Sequence, residues 1–104
     1  LTEKNMTTDR VLQARCLKYA RKQGVWARNI TTPAYAGMPD CMFLYKGMTM
    51  FVEFKSPKGT GKLSAMQWHN IEELQAQGFP VFVVNDFDIF STSLDIFMSE
   101  ADEA

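Results

Sequence analysis

A chain of 104 residues, 46% apolar and 22% charged, has the size and balance of one globular domain with a modest core, not of a disordered segment. Its longest apolar run, residues 79–84, contains Pro80 and falls far short of the ~20 residues a membrane-spanning helix needs, and the polar start from Leu1 to Met6 predicts no secretory signal. The formal net charge of −1 conceals a division: residues 1–62 hold all 11 cations and only four acids (Glu3, Asp9, Asp40, Glu53), while eight acids and no cation follow from Leu63 onward.

Such a split suits a basic part that meets a polyanion and an acidic part that faces solvent or a partner. Cys16 and Cys41 stand alone, with no CxxC or Cys/His cluster. Reduced thiols, a cytoplasmic setting and no structural zinc are the corresponding expectations.

In chain order, Thr7 or Thr8 can cap a first helix whose first turn holds Asp9 and which Gly24 ends. Helical periodicity puts Leu12, Cys16, Tyr19, Ala20 and Gln23 on its inward face and Arg15, Lys18 and Lys22 opposite. A short strand over 25–30 and a loop through Pro33 and Gly37 come next. The runs 41–45 and 48–55, separated by Lys46-Gly47, read as a β-hairpin, with Gly47 supplying the positive φ of a tight turn. A basic loop, 56–62, carries Pro57, Gly59 and Gly61. Ser64-x-x-Gln67 is a capping box that opens a second helix, which Gly78 closes. Residues 80–84 predict a buried strand, and Asp86 or Asp88 can cap a last helix. The predicted fold is one α/β domain over 1–104: a single mixed sheet with flanking helices in the order α-β-β-β-α-β-α.

Centring the turn on Lys46-Gly47 pairs Tyr45 with Met48 and, carried outward, Asp40 with Glu53, their Cβ atoms about 4.5–5.5 Å apart. Lys55 shares that side, while Val52 and Phe54 point to the other. A one-residue slip would destroy the pairing. Glu-x-Lys on a strand is ordinarily the wet face of an amphipathic hairpin. Two opposed carboxylates, however, repel, and the pair makes physical sense with a cation between them. Mg²⁺ suits it, since it takes one or two carboxylates plus substrate phosphate oxygens. With Lys55 alongside, these residues are a phosphodiester-cleaving set.

Gly37-Met38-Pro39-Asp40 followed by Glu53-Phe54-Lys55 resembles the PD-(D/E)XK nuclease motif. The likeness narrows to the virus-type replication-repair nucleases (VRR-NUC), whose small members also carry a glutamine shortly after, here matched by Gln67. It runs from about Asp9 to Val84. The resemblance implies an endonuclease in which Asp40 and Glu53 bind Mg²⁺ or Mn²⁺, the Phe54 carbonyl adds a ligand, and Lys55 and Gln67 assist hydrolysis. It further implies a homodimer that cuts four-way or otherwise branched DNA in the cytoplasm of a bacterium or virus-infected cell. The family's first-helix acid is usually glutamate; Asp9 stands at that position as a candidate ligand, with a first-turn structural role as the alternative. Gln67 could likewise serve only the capping box.

Arg15, Lys18, Lys22, Lys58 and Lys62 are the candidate phosphate contacts. His69 reads as a surface residue, and Trp68, Ile71 and Leu74 as core. Phe87, Ile89, Phe90, Leu94, Ile96, Phe97 and Met98 spread over more than one helical face, predicting a leftover apolar surface for a dimer. A DNA-binding or assembly module with negligible catalysis on the same fold is the competing reading.

Overall fold

The computed structural model describes residues 8–56 and 62–104. Seven elements follow one another: α1 (Thr8–Lys22), β1 (Trp26–Asn29), β2 (Cys41–Tyr45), β3 (Met48–Phe54), α2 (Ala65–Ala76), β4 (Val81–Val84) and α3 (Phe87–Glu103). This is the order expected from the sequence. Thr8 is already the first helical residue of α1, and Thr7 lies outside the described residues.

The strands form one sheet in the order β1-β2-β3-β4, antiparallel except for the parallel β3–β4 pair. A parallel neighbour requires a crossover connection, and α2 provides it. The hairpin has the predicted register, Tyr45 opposite Met48 and Cys41 opposite Val52. Its turn differs in one respect from the sequence reading. Both Lys46 (φ 47°) and Gly47 (φ 82°) are left-handed, the type I′ geometry that matches strand twist, so the strain is shared by a residue with a Cβ. Lys46 is held there by Asp102 of α3, whose Oδ1 accepts from Lys46 Nζ at 2.6 Å and from the Tyr45 hydroxyl at 2.9 Å. One acid of the C-terminal stretch therefore fastens the hairpin instead of facing a partner.

Two apolar layers sandwich the sheet. On one face Cys41, Phe43, Met50, Val52 and Phe54 pack with Leu12, Cys16 and Ala20 of α1 and with Phe90, Leu94 and Phe97 of α3. On the other, Phe51 and Val81 pack with Ile71 of α2, flanked by Leu63 and Leu74. Each fully buried aromatic or aliphatic side chain stabilises the fold by roughly 1.5–3 kcal/mol, and Phe43 and Phe90 meet ring to ring at 5.4 Å. Because β3 is covered on both faces, every residue from 50 to 54 is buried, Glu53 included.

Several expectations need correcting. Trp68 lies on the solvent side of α2, 52% exposed, and does not join Ile71 and Leu74 in the core. Gln23 is exposed as well. β4 is an edge strand, so Val81 and Val84 are buried while Val83 is exposed. On α3, Phe90, Leu94 and Phe97 belong to the chain's own core, which leaves Ile89 and Ile96 as the exposed apolar residues. Cys16 and Cys41 are both free and buried, and burial pushes each thiol up to about 12. Among the described residues, no helix is long and apolar enough to cross a membrane.

Candidate active site

Asp40 sits one residue before β2, and Glu53 near the end of β3, where the hairpin register brings them together. The Asp40 carboxylate accepts the Phe54 backbone N–H at Oδ2, 2.8 Å. Its neighbour Ile30 donates a backbone N–H to the Asp40 carbonyl at 2.8 Å, so both ends of the residue are tied. Pro39 is buried beside it, and the left-handed Gly37 (φ 83°) lets the chain pass against α2 so closely that a Cβ would meet Met66 Cγ at 2.6 Å. Only glycine fits that crossing.

Glu53 is 4% exposed and makes two side-chain contacts through the same oxygen, Oε2. Gln67 Nε2 donates to it at 2.8 Å, and Lys55 Nζ stands 3.8 Å away. Lys55 Nζ also donates to the Lys62 carbonyl at 3.3 Å. Gln67 closes the capping box at the same time: its Oε1 accepts the Ser64 backbone N–H (2.8 Å), and Ser64 Oγ accepts the Gln67 backbone N–H (3.1 Å). The two roles the sequence left as alternatives coexist, because a carboxamide has an acceptor end and a donor end.

The electrostatics follow from crowding. Burial pushes the Glu53 carboxyl up to about 7, and the Asp40 charge pushes the same way; Lys55 and a hydrogen bond from the Asp40 backbone pull it back, and Asp9 adds a smaller upward push. Asp40 is raised too, first by burial, with the Phe54 N–H and Lys55 opposing and Asp9 adding to the rise. A buried acid and a half-buried one that resist ionising together form a site that gains from a cation. Their hard oxygen donors, with the nearby Phe54 carbonyl, fit Mg²⁺ or Mn²⁺ chemically.

The remaining candidates are placed less centrally. Asp9 is exposed in the first turn of α1, close enough to raise both carboxylates. Among the described residues, no three His, Cys, Asp or Glu side chains gather closely enough to hold a metal, so Asp9 does not complete a triad with Asp40 and Glu53. Arg15, Lys18 and Lys22 border a surface depression with Tyr19 and Phe87, and the Arg15 guanidinium lies 3.9 Å from the Phe87 ring centroid. Lys62 contributes its main chain to Lys55, with its side chain exposed. Lys58 lies outside the described residues. His69 is on the surface, 3.4 Å from Glu73. Ser64 is the residue sequence reasoning passed over: the capping box was visible, but not that it reaches Glu53.

No family model matches the sequence, and a search of curated proteins finds no match. Comparison of structures does find similarity. The chain is similar to a solved structure described as a VRR_NUC domain, with 27% identity and a TM-score of 0.63, over 80% of this chain and 94% of the other. A four-stranded mixed sheet with its flanking helices, matched along most of both chains, gives this protein the fold of a VRR_NUC domain.

Proposed function

We propose that this chain is a divalent-metal-dependent nuclease that hydrolyses phosphodiester bonds in DNA. The observation that carries the reading is the meeting of Asp40, Glu53, Lys55 and Gln67 within a fold shared with a VRR_NUC domain. Asp40, Glu53 and the Phe54 carbonyl would hold Mg²⁺ or Mn²⁺. When bound, such a cation would supply neutralisation of charge on the scissile phosphate and acidification of an attacking water. Asp40 and Glu53 bring two negative oxygens to one place on a rigid hairpin, so little reorganisation accompanies binding. Lys55, tethered between Glu53 and the Lys62 carbonyl, offers its ammonium to the charge that develops on the phosphate. Gln67 holds Glu53 in one orientation without taking its charge. The Phe54 ring, buried on the opposite face, anchors the backbone between Glu53 and Lys55.

The finer reading is a two-fold homodimer that acts on branched DNA such as a four-way junction. Its support is the exposed pair Ile89 and Ile96, seven residues apart on one side of α3, and the equivalence of the two strands such a junction offers. Incubating the protein with linear, nicked and four-way DNAs, in Mg²⁺ and in EDTA, tests the reading. Metal-dependent cleavage, fastest on the junction, is the expected result. Binding without cleavage would favour the catalytically silent module, and cleavage in EDTA would overturn the metal assignment.

A further inference from the structure

We infer that Ser64 is a positioning residue for this site: it fixes the Gln67 carboxamide so that Nε2, and not Oε1, faces Glu53. The inference rests on the reading of Asp40 and Glu53 as the seat of the chemistry. A glutamine amide can be turned over, exchanging its donor and acceptor ends at little cost in shape. Here the two ends are assigned by their neighbours. Ser64 N–H can only donate, so the atom 2.8 Å from it must accept, which makes that atom Oε1. The end left over is a donor, and it lies 2.8 Å from Glu53 Oε2. Turned over, the amide would set donor against donor at Ser64 and acceptor against carboxylate at Glu53.

Ser64 is itself held for this task. It has the extended conformation of an N-cap (φ −74°, ψ 165°), and its hydroxyl accepts from the Gln67 backbone at 3.1 Å. Backbone and side chain of Gln67 are therefore both fixed by one residue. Two residues earlier, the Lys62 carbonyl accepts from Lys55 Nζ. Residues 62–64 thus support both groups that approach Glu53 Oε2, so a shift of this short segment would move both at once. An ordinary helix cap would stabilise α2 alone. This one also determines which atom the acidic cluster meets.

The test compares Ser64→Ala, Ser64→Thr and Gln67→Glu with the wild type, by two readouts. The first is the resonance and hydrogen-exchange rate of the Gln67 side-chain amide in metal-free protein. The second is the split between kcat and KM on a DNA substrate, measured well below each variant's melting temperature. Ser64→Ala keeps the backbone N–H that faces Oε1 but loses the hydroxyl that anchors the Gln67 backbone. With the helix start loosened, exchange of that amide should speed up and kcat should fall about tenfold or more, with KM little changed. Ser64→Thr, which keeps the hydroxyl, should restore both. Gln67→Glu keeps an acceptor for the Ser64 N–H, and so the capping box, but sets a second carboxylate against Glu53 in place of a donor; it should lower the melting temperature and lose cleavage. An unaltered Gln67 amide in Ser64→Ala would overturn the inference. So would a lowered melting temperature with wild-type kcat, which is what a cap alone produces. If the wild type cleaves no nucleic acid, that failure belongs to the proposed function, and the amide readout still decides the link from Ser64 to Glu53.

Discussion

Gln67 of α2 donates its side-chain N–H to Glu53 of β3 across 2.8 Å, joining the helix that crosses over the sheet to the acid nearest the sheet's centre. The contact explains how a carboxylate can stay oriented while 4% exposed. Burial without a donor would leave the group free to protonate and turn away. With Gln67 and Lys55 on one oxygen, Glu53 is held in place yet raised to about 7, ready to lose its proton when a cation arrives.

That raised carboxyl makes a stability prediction for metal-free protein. The folded state holds the Glu53 proton to about pH 7, the unfolded chain only to 4.5. The contribution of Glu53 to stability is therefore fully present below pH 4.5 and is lost as pH rises through 7. Glu53→Gln cannot ionise and keeps an oxygen for Gln67. Its advantage over wild type in EDTA should grow from about 1 kcal/mol at pH 5 to about 3 kcal/mol at pH 8. Urea melts at the two pH values measure it; a difference independent of pH would contradict the assigned environment.

Gly37→Ala should be costlier than Gly24→Ala. Both glycines are left-handed, but a Cβ at 24 meets nothing within 4 Å, whereas one at 37 strikes Met66 at 2.6 Å. The backbone cost common to both is about 1 kcal/mol, and the clash should add about 1–3 kcal/mol at position 37. The displaced α2 should also carry Gln67 away from Glu53, lowering activity. Equal melting temperatures for the two variants would refute the close crossing.

For binding, Lys18 and Lys22 are the informative cations, since Arg15 is already stacked on Phe87. Replacing both with Ala should reduce the slope of log affinity against log salt by about two, each lysine accounting for about 0.9. Fluorescence anisotropy with a labelled duplex in EDTA provides the measurement. An unchanged slope would place the DNA path away from α1.

The dimer reading turns on which α3 residues are replaced. Phe90 and Phe97 are core residues, so Asp at either position should unfold the chain and reveal nothing about assembly. Ile96 is 55% exposed and Ile89 is also at the surface. Ile89→Asp with Ile96→Asp should give folded monomers by light scattering and lose paired cutting of junctions. Folded dimers would move the interface off this face.

Much of the site could be read from the sequence because its geometry is local. A two-residue turn at Lys46-Gly47 fixes a register, a strand has period two, and together they place Asp40 by Glu53 and Lys55 on the side of Glu53. What escaped was non-local. The burial of Glu53 depends on α2 crossing the face that the hairpin alone would leave wet. Trp68 reads as core by residue type, and only the packing of Ile71 and Leu74 shows which side of α2 faces in. The split of α3 into buried Phe90 and Phe97 and exposed Ile89 and Ile96 required knowing where the sheet lies.

The most direct measurement is the single-turnover rate of phosphodiester cleavage in Mg²⁺ for wild type, Asp40→Asn, Glu53→Gln and Lys55→Ala, on whichever DNA the wild type cuts best. Each variant should fold and still bind DNA, yet lose about 10²–10⁴ in rate. Near-normal cleavage by Glu53→Gln would show that the chemistry lies somewhere other than this cluster.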